Sequence, residues 1–352
     1  MSPLYCTPTL GKLIKPVLGR LLAPRPLDIR IDIYNTYSHP NGIFVRGRAL
    51  EKKPTDVPLT IADSWWTNLQ RTWHALESDE VTDLELWVQF EGQKQSVTTD
   101  NEGLFSTTFV PDNTLNPGVY SVEVGLRTPS IHRAATVQGQ VFVHPLQSPS
   151  WGVVSDIDDT ILESHVTQRL KMFKKLLFGN GLTATPVSGM SEIYQKLHQR
   201  GYTFHYLSGS PINLHQRLRA FLDHQGFPEG SMDLRHWGIG PDTDAILSSS
   251  TYKLQRLQKF FQRFPERRFV LIGDSGEKDP EIYSAIRKAF PHQVLGIAIH
   301  RVHRLETPSS TPSQRFKDMF LFEEAEELDA FIAQLPTPQK SDHPSDRANF
   351  TV

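Results

Sequence analysis

The stretch WGVVSDIDDT, residues 151–160, decides how the rest of the chain is read. Trp151, Gly152, Val153 and Val154 make a short apolar run of the kind a buried strand uses, and two carboxylates, Asp156 and Asp158, follow where that strand ends. A carboxylate can attack phosphorus to give an aspartyl phosphate, and a second carboxyl beside it can protonate the leaving oxygen, so the pair points to phosphoryl chemistry. Acids crowded at a strand terminus also call for a cation. Mg²⁺ suits them, because it is a hard ion that takes oxygen ligands and shares a substrate phosphate. Taken alone, DxDxT fits an acidic turn after a strand equally well.

Other segments join it. YTFHYLSGSP (202–211) reads as a second buried strand ending at Ser208, with Ser210 as the cap of a helix whose first residue is Pro211. A hydroxyl and free backbone N–H groups at such a place can hold phosphate oxygens. RRFVLIGDSGEKDPEIY (267–283) gives a third strand, then Asp274, then Asp279 as an expected N-cap with Pro280 behind it. Lys253 opens the amphipathic stretch TYKLQRLQKFFQRF (251–264), where Leu254, Leu257, Phe261 and Phe264 keep helical spacing. A cation at a helix start opposes the helix dipole, so a nearby anion makes better sense of it.

With the order Asp pair, Ser, Lys, Asp pair, the chain resembles the haloacid dehalogenase phosphatase superfamily. WGVVSDIDDTILES, HYLSGSPINL, the Lys253 helix and LIGDSGEKDPEIY look like the catalytic domain of the actin-patch type phosphatidate phosphatases and their bacterial relatives, over about residues 148–300. The resemblance implies that Asp156 is the nucleophile and Asp158 the general acid and base. It implies further that Mg²⁺ is bound by Asp156, Asp274 and the backbone carbonyl of Asp158, with Asp279 supporting the metal from behind or through water. Ser208 would bond the transferring phosphoryl group and Lys253 would neutralise its charge. Where such relatives have PFPG, this chain has Pro186, Val187, Ser188 and Gly189, a departure that bears on substrate preference more than on chemistry.

From 151 to about 300, strands near 151–155, 202–207, 232–235, 268–273 and 294–299 alternate with helical stretches, the pattern of an α/β, Rossmann-like doubly wound parallel sheet. Such sheets bind ligands at the strands' carboxyl ends, where all the quoted acids fall. Ahead of it, LDIRIDIYNTY, GIFVRGRAL, LELWVQF, GLFSTTFV, VYSVEVGL and TVQGQVFVHP, between residues 27 and 145, are short runs separated by turn residues and suggest a β-sandwich-like module. Asp63 is placed to cap a helix carrying Trp66, Leu69, Trp73 and Leu76 on one face. The expected organisation is therefore an amphipathic N-terminal segment (1–26), an accessory β-domain (27–146), a catalytic domain (147–302), and a C-terminal helix with a disordered tail (303–352).

About forty residues separate the first two motifs, too few for the large lid many superfamily members carry, so a small or absent cap and an open site are expected. Within this segment RLKMFKKLLF (169–178) sets Leu170, Phe173, Leu176 and Leu177 beside Lys171, Lys174 and Lys175. Such a stretch suits an anionic membrane surface, or simply covers the sheet with its lysines in water. Leu10, Leu13, Ile14, Val17, Leu18, Leu21 and Leu22 form a second basic amphipathic stretch, broken by Pro16.

Composition narrows the classes. The 352 residues are 38% hydrophobic and 22% charged, and no run reaches the ~20 apolar residues of a spanning helix. A net charge of −2 gives no reason to expect nucleic acid. Cys6 is the only cysteine, which fits a reducing, cytoplasmic setting with a peripheral membrane role open to it. The expected substrate is a phosphorylated one, a phospholipid at a membrane surface foremost, with phosphatidate implied by the resemblance. Alternatives are a soluble metabolite, another lipid phosphate, a phosphoprotein, or a non-catalytic adaptor; the partner of the β-domain is not legible.

Overall fold

A computed structural model describes residues 26–39, 41–53, 80–128, 132–144, 150–162, 186–235, 248–302 and 314–336. The basic stretches at 10–22 and 169–178, the expected helix at 63–76 and the tail beyond 336 lie outside the described residues.

The first unit is built from seven strands: β1 (Ile29–His39), β2 (Gly42–Glu51), β3 (Glu85–Phe90), β4 (Gln93–Thr98), β5 (Leu104–Phe109), β6 (Gly118–Leu126) and β7 (Val137–Val143). In β3, Leu86, Val88 and Phe90 are buried while Glu85, Trp87 and Gln89 are not, the period of two that puts one face on a core. They pair in the order β4-β3-β6-β7-β1-β2-β5 as one sheet, antiparallel except for the short contact of β1 with β7. Two packed sheets were expected. Instead β1 carries a register shift between Tyr34 and Tyr37, the kind of irregularity that bends a strand, and the continuous sheet curls around Ile31, Val45, Leu86, Val88, Phe109, Val122 and Val141. Its two edges meet through side chains. Gln93 Nε2 donates to the Val110 carbonyl (3.0 Å), Gln95 Nε2 to that of Thr108 (3.3 Å), and Thr107 Oγ1 to Gln95 Oε1, so side chains cover part of both edges.

The second unit holds β8 (Ser150–Asp156), β9 (Thr203–Pro211), β10 (Gly230–Arg235), β11 (Arg267–Asp274), β12 (Val294–His300) and β13 (Phe320–Phe322). Every residue of β8 is buried, as a central strand covered on both faces requires. All pairs are parallel, in the order β10-β9-β8-β11-β12-β13, so the chain winds one way from β8 to β10 and then the other way from β11 outward. Helices α1 (Met190–Gln199), α2 (His215–His224) and α5 (Ala325–Gln334) pack with Val153, Phe204, Tyr206, Val270 and Ile272. Helices α3 (Ser249–Arg263) and α4 (Asp279–Ala289) pack on the other face, with Val154, Leu207, Leu271 and Ile299.

Past residue 300 the structure departs from the pattern. One helix was expected over 321–335, but Phe320–Phe322 adds a sixth strand to β12 and the helix starts at Ala325. Three residues are too few for alternation to show. Arg200 donates to the carbonyls of Ile332 and Leu335, and Tyr202 Oη to that of Pro336 (2.7 Å), which caps the C-terminal end of α5 on the sheet. The two units touch through Tyr37, which packs in the α3 face and accepts from Arg263, and through Gln216 Nε2 bonded to Asp32 Oδ1 (2.6 Å). Among the described residues no helix is long and apolar enough to cross a membrane.

Candidate active site

At the point where the winding direction reverses, β8 and β11 lie side by side and end in Asp156 and Asp274, where a parallel sheet opens a crevice. Beyond Asp156 the chain turns at once. Asp159 takes a left-handed conformation (φ 57°), which Asp tolerates, and the N–H groups of Ile161 and Leu162 both return to the Ile157 carbonyl at 3.1 Å. Ile157 is thereby buried in the core, and on either side of it the carboxyl of Asp156 meets Lys253 and that of Asp158 meets Ser208.

From β9, Ser208 Oγ donates to Asp158 Oδ2 at 2.7 Å, and Ser210 Oγ lies 3.4 Å from the same oxygen. Ser210 is not the helix cap that its sequence suggested. Pro211 is extended (ψ 144°), a single 3₁₀ turn follows over Ile212–Leu214, and α2 starts only at His215, so both serine hydroxyls turn to the acid. Ser208 Oγ also accepts from the Ser210 N–H (2.9 Å).

Lys253 sits in the first turns of α3, whose N-terminus is capped by Ser248 Oγ accepting from Thr251 N (3.1 Å). It is 1% exposed. Its ammonium donates to Asp156 Oδ1 at 2.5 Å and Asp279 Oδ1 at 3.0 Å, and pairs with Glu277 Oε2 at 3.1 Å. The anion that its awkward helix position called for is there threefold. Asp279 is the first residue of α4 rather than its cap, a place taken by Lys278, because its carboxylate is turned inward to Lys253 and to the Asp274 N–H (3.4 Å). That approach needs Gly273, where an added Cβ would lie 2.5 Å from Asp279 Oδ2.

All six residues singled out in the sequence therefore meet: Asp156, Asp158, Ser208, Lys253, Asp274 and Asp279. Glu277 was missed, although it stands inside GDSGEKD; its side chain is only 17% exposed, and nothing in a loop pattern tells an inward acid from an outward one.

Among the described residues the charges do not balance. Asp156, Asp158, Asp274, Asp279 and Glu277 are gathered about one described ammonium, and the four aspartates are buried. Burial raises Asp158 from 3.8 to about 6, with the charge of Glu277 adding to it and the Ser208 hydrogen bond opposing. Burial likewise pushes Asp156 and Asp274 well above the carboxylate range, and Asp279 above it, in each case against the pull of Lys253. Desolvation works against the charge on Lys253 as well, but Asp156, Asp279 and Glu277 outweigh it and hold its pKa well above the ordinary 10.5. Three carboxylate oxygens, Asp156 Oδ2, Asp158 Oδ1 and Asp274 Oδ2, are buried with no hydrogen-bond partner among the described residues. Oxygens of Asp156, Asp274 and Asp279 lie within 4.8 Å of one another. Orphaned hard oxygens in negative excess fit a divalent cation such as Mg²⁺.

This imbalance has a measurable sign. A carboxyl whose folded pKa is raised binds its proton more tightly in the folded state, so stability without metal is greatest below the unfolded value near 4 and falls as pH rises through the folded value, about 6 for Asp158. For Asp158 alone the loss is roughly 3 kcal/mol by pH 7.5. Thermal unfolding in EDTA is expected to show a lower Tm at pH 7.5 than at pH 5. Asp274→Asn is expected to narrow that gap and to abolish the Tm gain on adding Mg²⁺. Equal Tm values at both pH values would mean that the acids are not held as described.

Parallel strands ending in a buried cluster of carboxylates, lysine and serine, three of whose acids could hold a metal ion, make this the candidate active site. Residues 151–301 match the family described as "Phosphatidate phosphatase APP1, catalytic domain", and over that segment the chain resembles the actin-patch type phosphatidate phosphatases. "Phosphatidate phosphatase APP1" of Saccharomyces cerevisiae is 34% identical over 150 residues, which are 42% of this chain and 25% of that protein. "Uncharacterized protein C29B5.04c" of Schizosaccharomyces pombe is 28% identical over 209 residues, 59% of this chain and 34% of that one. The chain thus spans a quarter to a third of the length of these curated relatives. The class C acid phosphatase of Bacillus anthracis aligns with 55% of this chain and 82% of its own at 15% identity, with a TM-score of 0.30, too slight a likeness to bear on the fold.

Proposed function

We propose that the chain is a Mg²⁺-dependent phosphomonoesterase of the haloacid dehalogenase type that hydrolyses phosphatidate to diacylglycerol through an aspartyl phosphate. The observation that carries this reading is the state of Asp156, with Oδ1 held by Lys253 at 2.5 Å and Oδ2 buried with no partner among the described residues, beside an Asp158 bonded to Ser208. The similarity of residues 151–301 to the phosphatidate phosphatase catalytic domain supports the substrate class.

In the first step an oxygen of Asp156 attacks phosphorus and the bond from phosphorus to the lipid oxygen breaks. Asp158, which burial keeps protonated up to about pH 6, gives its proton to that oxygen. Left as a carboxylate, Asp158 then takes a proton from the water that attacks the aspartyl phosphate, which frees inorganic phosphate and restores Asp156. Ser208 orients Asp158 and offers a hydrogen bond to the phosphoryl oxygens, and Lys253 offsets their charge. Asp156, Asp274 and Asp279, with the Asp158 carbonyl, would hold Mg²⁺, which when bound neutralises phosphoryl oxygens and makes phosphorus more electrophilic. The parallel strand order around β8 supports the doubly wound reading, and in this proposal the curled sheet ahead of it is a docking or stabilising module.

Phosphate release from phosphatidate in mixed micelles, beside a panel of soluble phosphomonoesters, with Mg²⁺ and with EDTA, tests this. Mg²⁺-dependent release from phosphatidate is expected. Release from soluble esters only would reassign the substrate, and release from none would favour the adaptor reading.

A further inference from the structure

The loop that carries the acids, from Ser275 to Glu281, is held from outside the stretch that matches the catalytic-domain family. Arg315, in the single 3₁₀ turn Gln314–Phe316, donates Nη1 to the Ser275 carbonyl (3.0 Å) and Nη2 to the Glu277 carbonyl, and Nε to Glu281 Oε1 (2.8 Å). The turn is itself pinned. Arg287 of α4 donates to the carbonyls of Lys317 (2.9 Å) and Asp318 (2.7 Å), and the chain then enters β13 against β12. One guanidinium therefore bridges the end of β11 and the start of α4, the two elements that deliver Asp274 and Asp279. Between those two points hangs Glu277, the third partner of Lys253.

We propose that Arg315 is a positioning residue: it fixes the Ser275–Glu281 loop so that Asp274 and Asp279 keep the spacing a divalent cation needs and Glu277 keeps its hold on Lys253, and residues past 301 thereby belong to the working site. The inference rests on the cation reading given above. Its physical basis is the planar fork of the guanidinium. Two loop carbonyls and one carboxylate lie around it, and each takes a separate N–H. A lysine offers a point charge that cannot span all three. Other ties of the loop stay in place without Arg315, among them Ser275 N to the His300 carbonyl (2.9 Å), Val302 N to Ser275 Oγ (2.9 Å) and Glu277 N to Asp274 Oδ1 (2.8 Å), so the loop is loosened rather than released. The acids repel one another once ionised, and an unclamped loop can relax outward.

The test uses the full chain with Arg315→Ala, Arg315→Lys and Glu281→Gln. Mg²⁺ uptake is measured by calorimetry without substrate, the Mg²⁺ half-saturation of phosphate release is measured beside it, and Tm is recorded for each. Arg315→Ala is expected to weaken Mg²⁺ binding and raise the half-saturation about tenfold, in line with the loss of a residue that orients metal ligands. Its kcat at saturating Mg²⁺ should stay within about threefold of the wild type, because the clamp touches no reacting atom. Arg315→Lys is expected to restore only part of the affinity. Glu281→Gln is expected to stay within about twofold, since that carboxylate is exposed and its ion pair weak. If Arg315→Ala unfolds, Arg315→Lys carries the test, and wild-type affinity in it overturns the inference. A lowered Tm with unchanged Mg²⁺ binding makes Arg315 a structural residue and overturns it too. A wild-type chain that takes up no Mg²⁺ overturns the cation reading and this inference together, whereas wild-type uptake that Arg315→Ala leaves intact overturns this inference alone.

Discussion

Asp156→Asn is expected to lower turnover by roughly 10⁴-fold or more, the scale seen when a covalent nucleophile is removed. An amide has nearly the shape of the carboxylate but no pair of electrons basic enough to attack phosphorus. The fold should survive. Asp156 lies among five acids that share one lysine, and Asp279 and Glu277 remain to hold Lys253 at 3.0 and 3.1 Å. Removing one ionised group from a site with negative excess also relieves repulsion, so Tm in EDTA is expected to stay the same or rise. Steady-state phosphate release at saturating Mg²⁺, with circular dichroism on the same sample, reads both effects. Retained Mg²⁺-dependent turnover would take the nucleophile's role away from Asp156 and leave Asp158, 4% exposed and bonded to Ser208, as the remaining carboxyl at the end of β8.

The parts of the site that were legible in sequence are those where polarity changes abruptly at the end of an apolar run. Val153 and Val154 before Asp156 and Leu271 and Ile272 before Asp274 each mark a buried strand that ends in a group water would otherwise claim, and Tyr206 and Leu207 before Ser208 mark one that carries its polar group inside and runs on to Pro211. A parallel sheet makes that signal strong, because both faces are covered and the whole strand reads as apolar. Caps were less legible. Ser210 and Asp279 have the right residue type and a following proline, but tertiary partners, Asp158 for one and Lys253 for the other, took the side chains that capping would have used. The strand β4, QKQSVT, was hidden because it lies at the sheet edge with one face in water, where propensity and pattern say little and its glutamines act on β5 through side chains. β13 was hidden by its length. Arg315 was beyond reach for a different reason: two of its partners are backbone carbonyls, which any residue supplies, and the third is an exposed glutamate thirty-four residues away.

Lys253→Met is expected to be the most destabilising change in the site, by about 3–5 kcal/mol at pH 7.5 in EDTA, the range for breaking a buried ion pair by removing one partner. Methionine fills much the same volume, so the loss is electrostatic rather than a cavity. Its pH dependence distinguishes it from ordinary core damage. The pKa of Lys253 is held well above 10.5 by Asp156, Asp279 and Glu277, so its stabilisation is fully present below that value and it does not titrate between pH 5 and 8. Any change in the deficit over that interval comes from the acids. Their folded pKa values are already raised by burial, and without the ammonium they rise further, so at pH 5 the folded variant takes up protons and the deficit shrinks. At pH 8 it must leave them ionised and unpaired or unfold. Urea unfolding at pH 5, 6.5 and 8 should therefore show a deficit that grows with pH, and Mg²⁺ should recover part of it by binding the folded acids only. A deficit of equal size at all three pH values, untouched by Mg²⁺, would show that Lys253 acts through packing and that the acids around it are not the charge-coupled cluster described above.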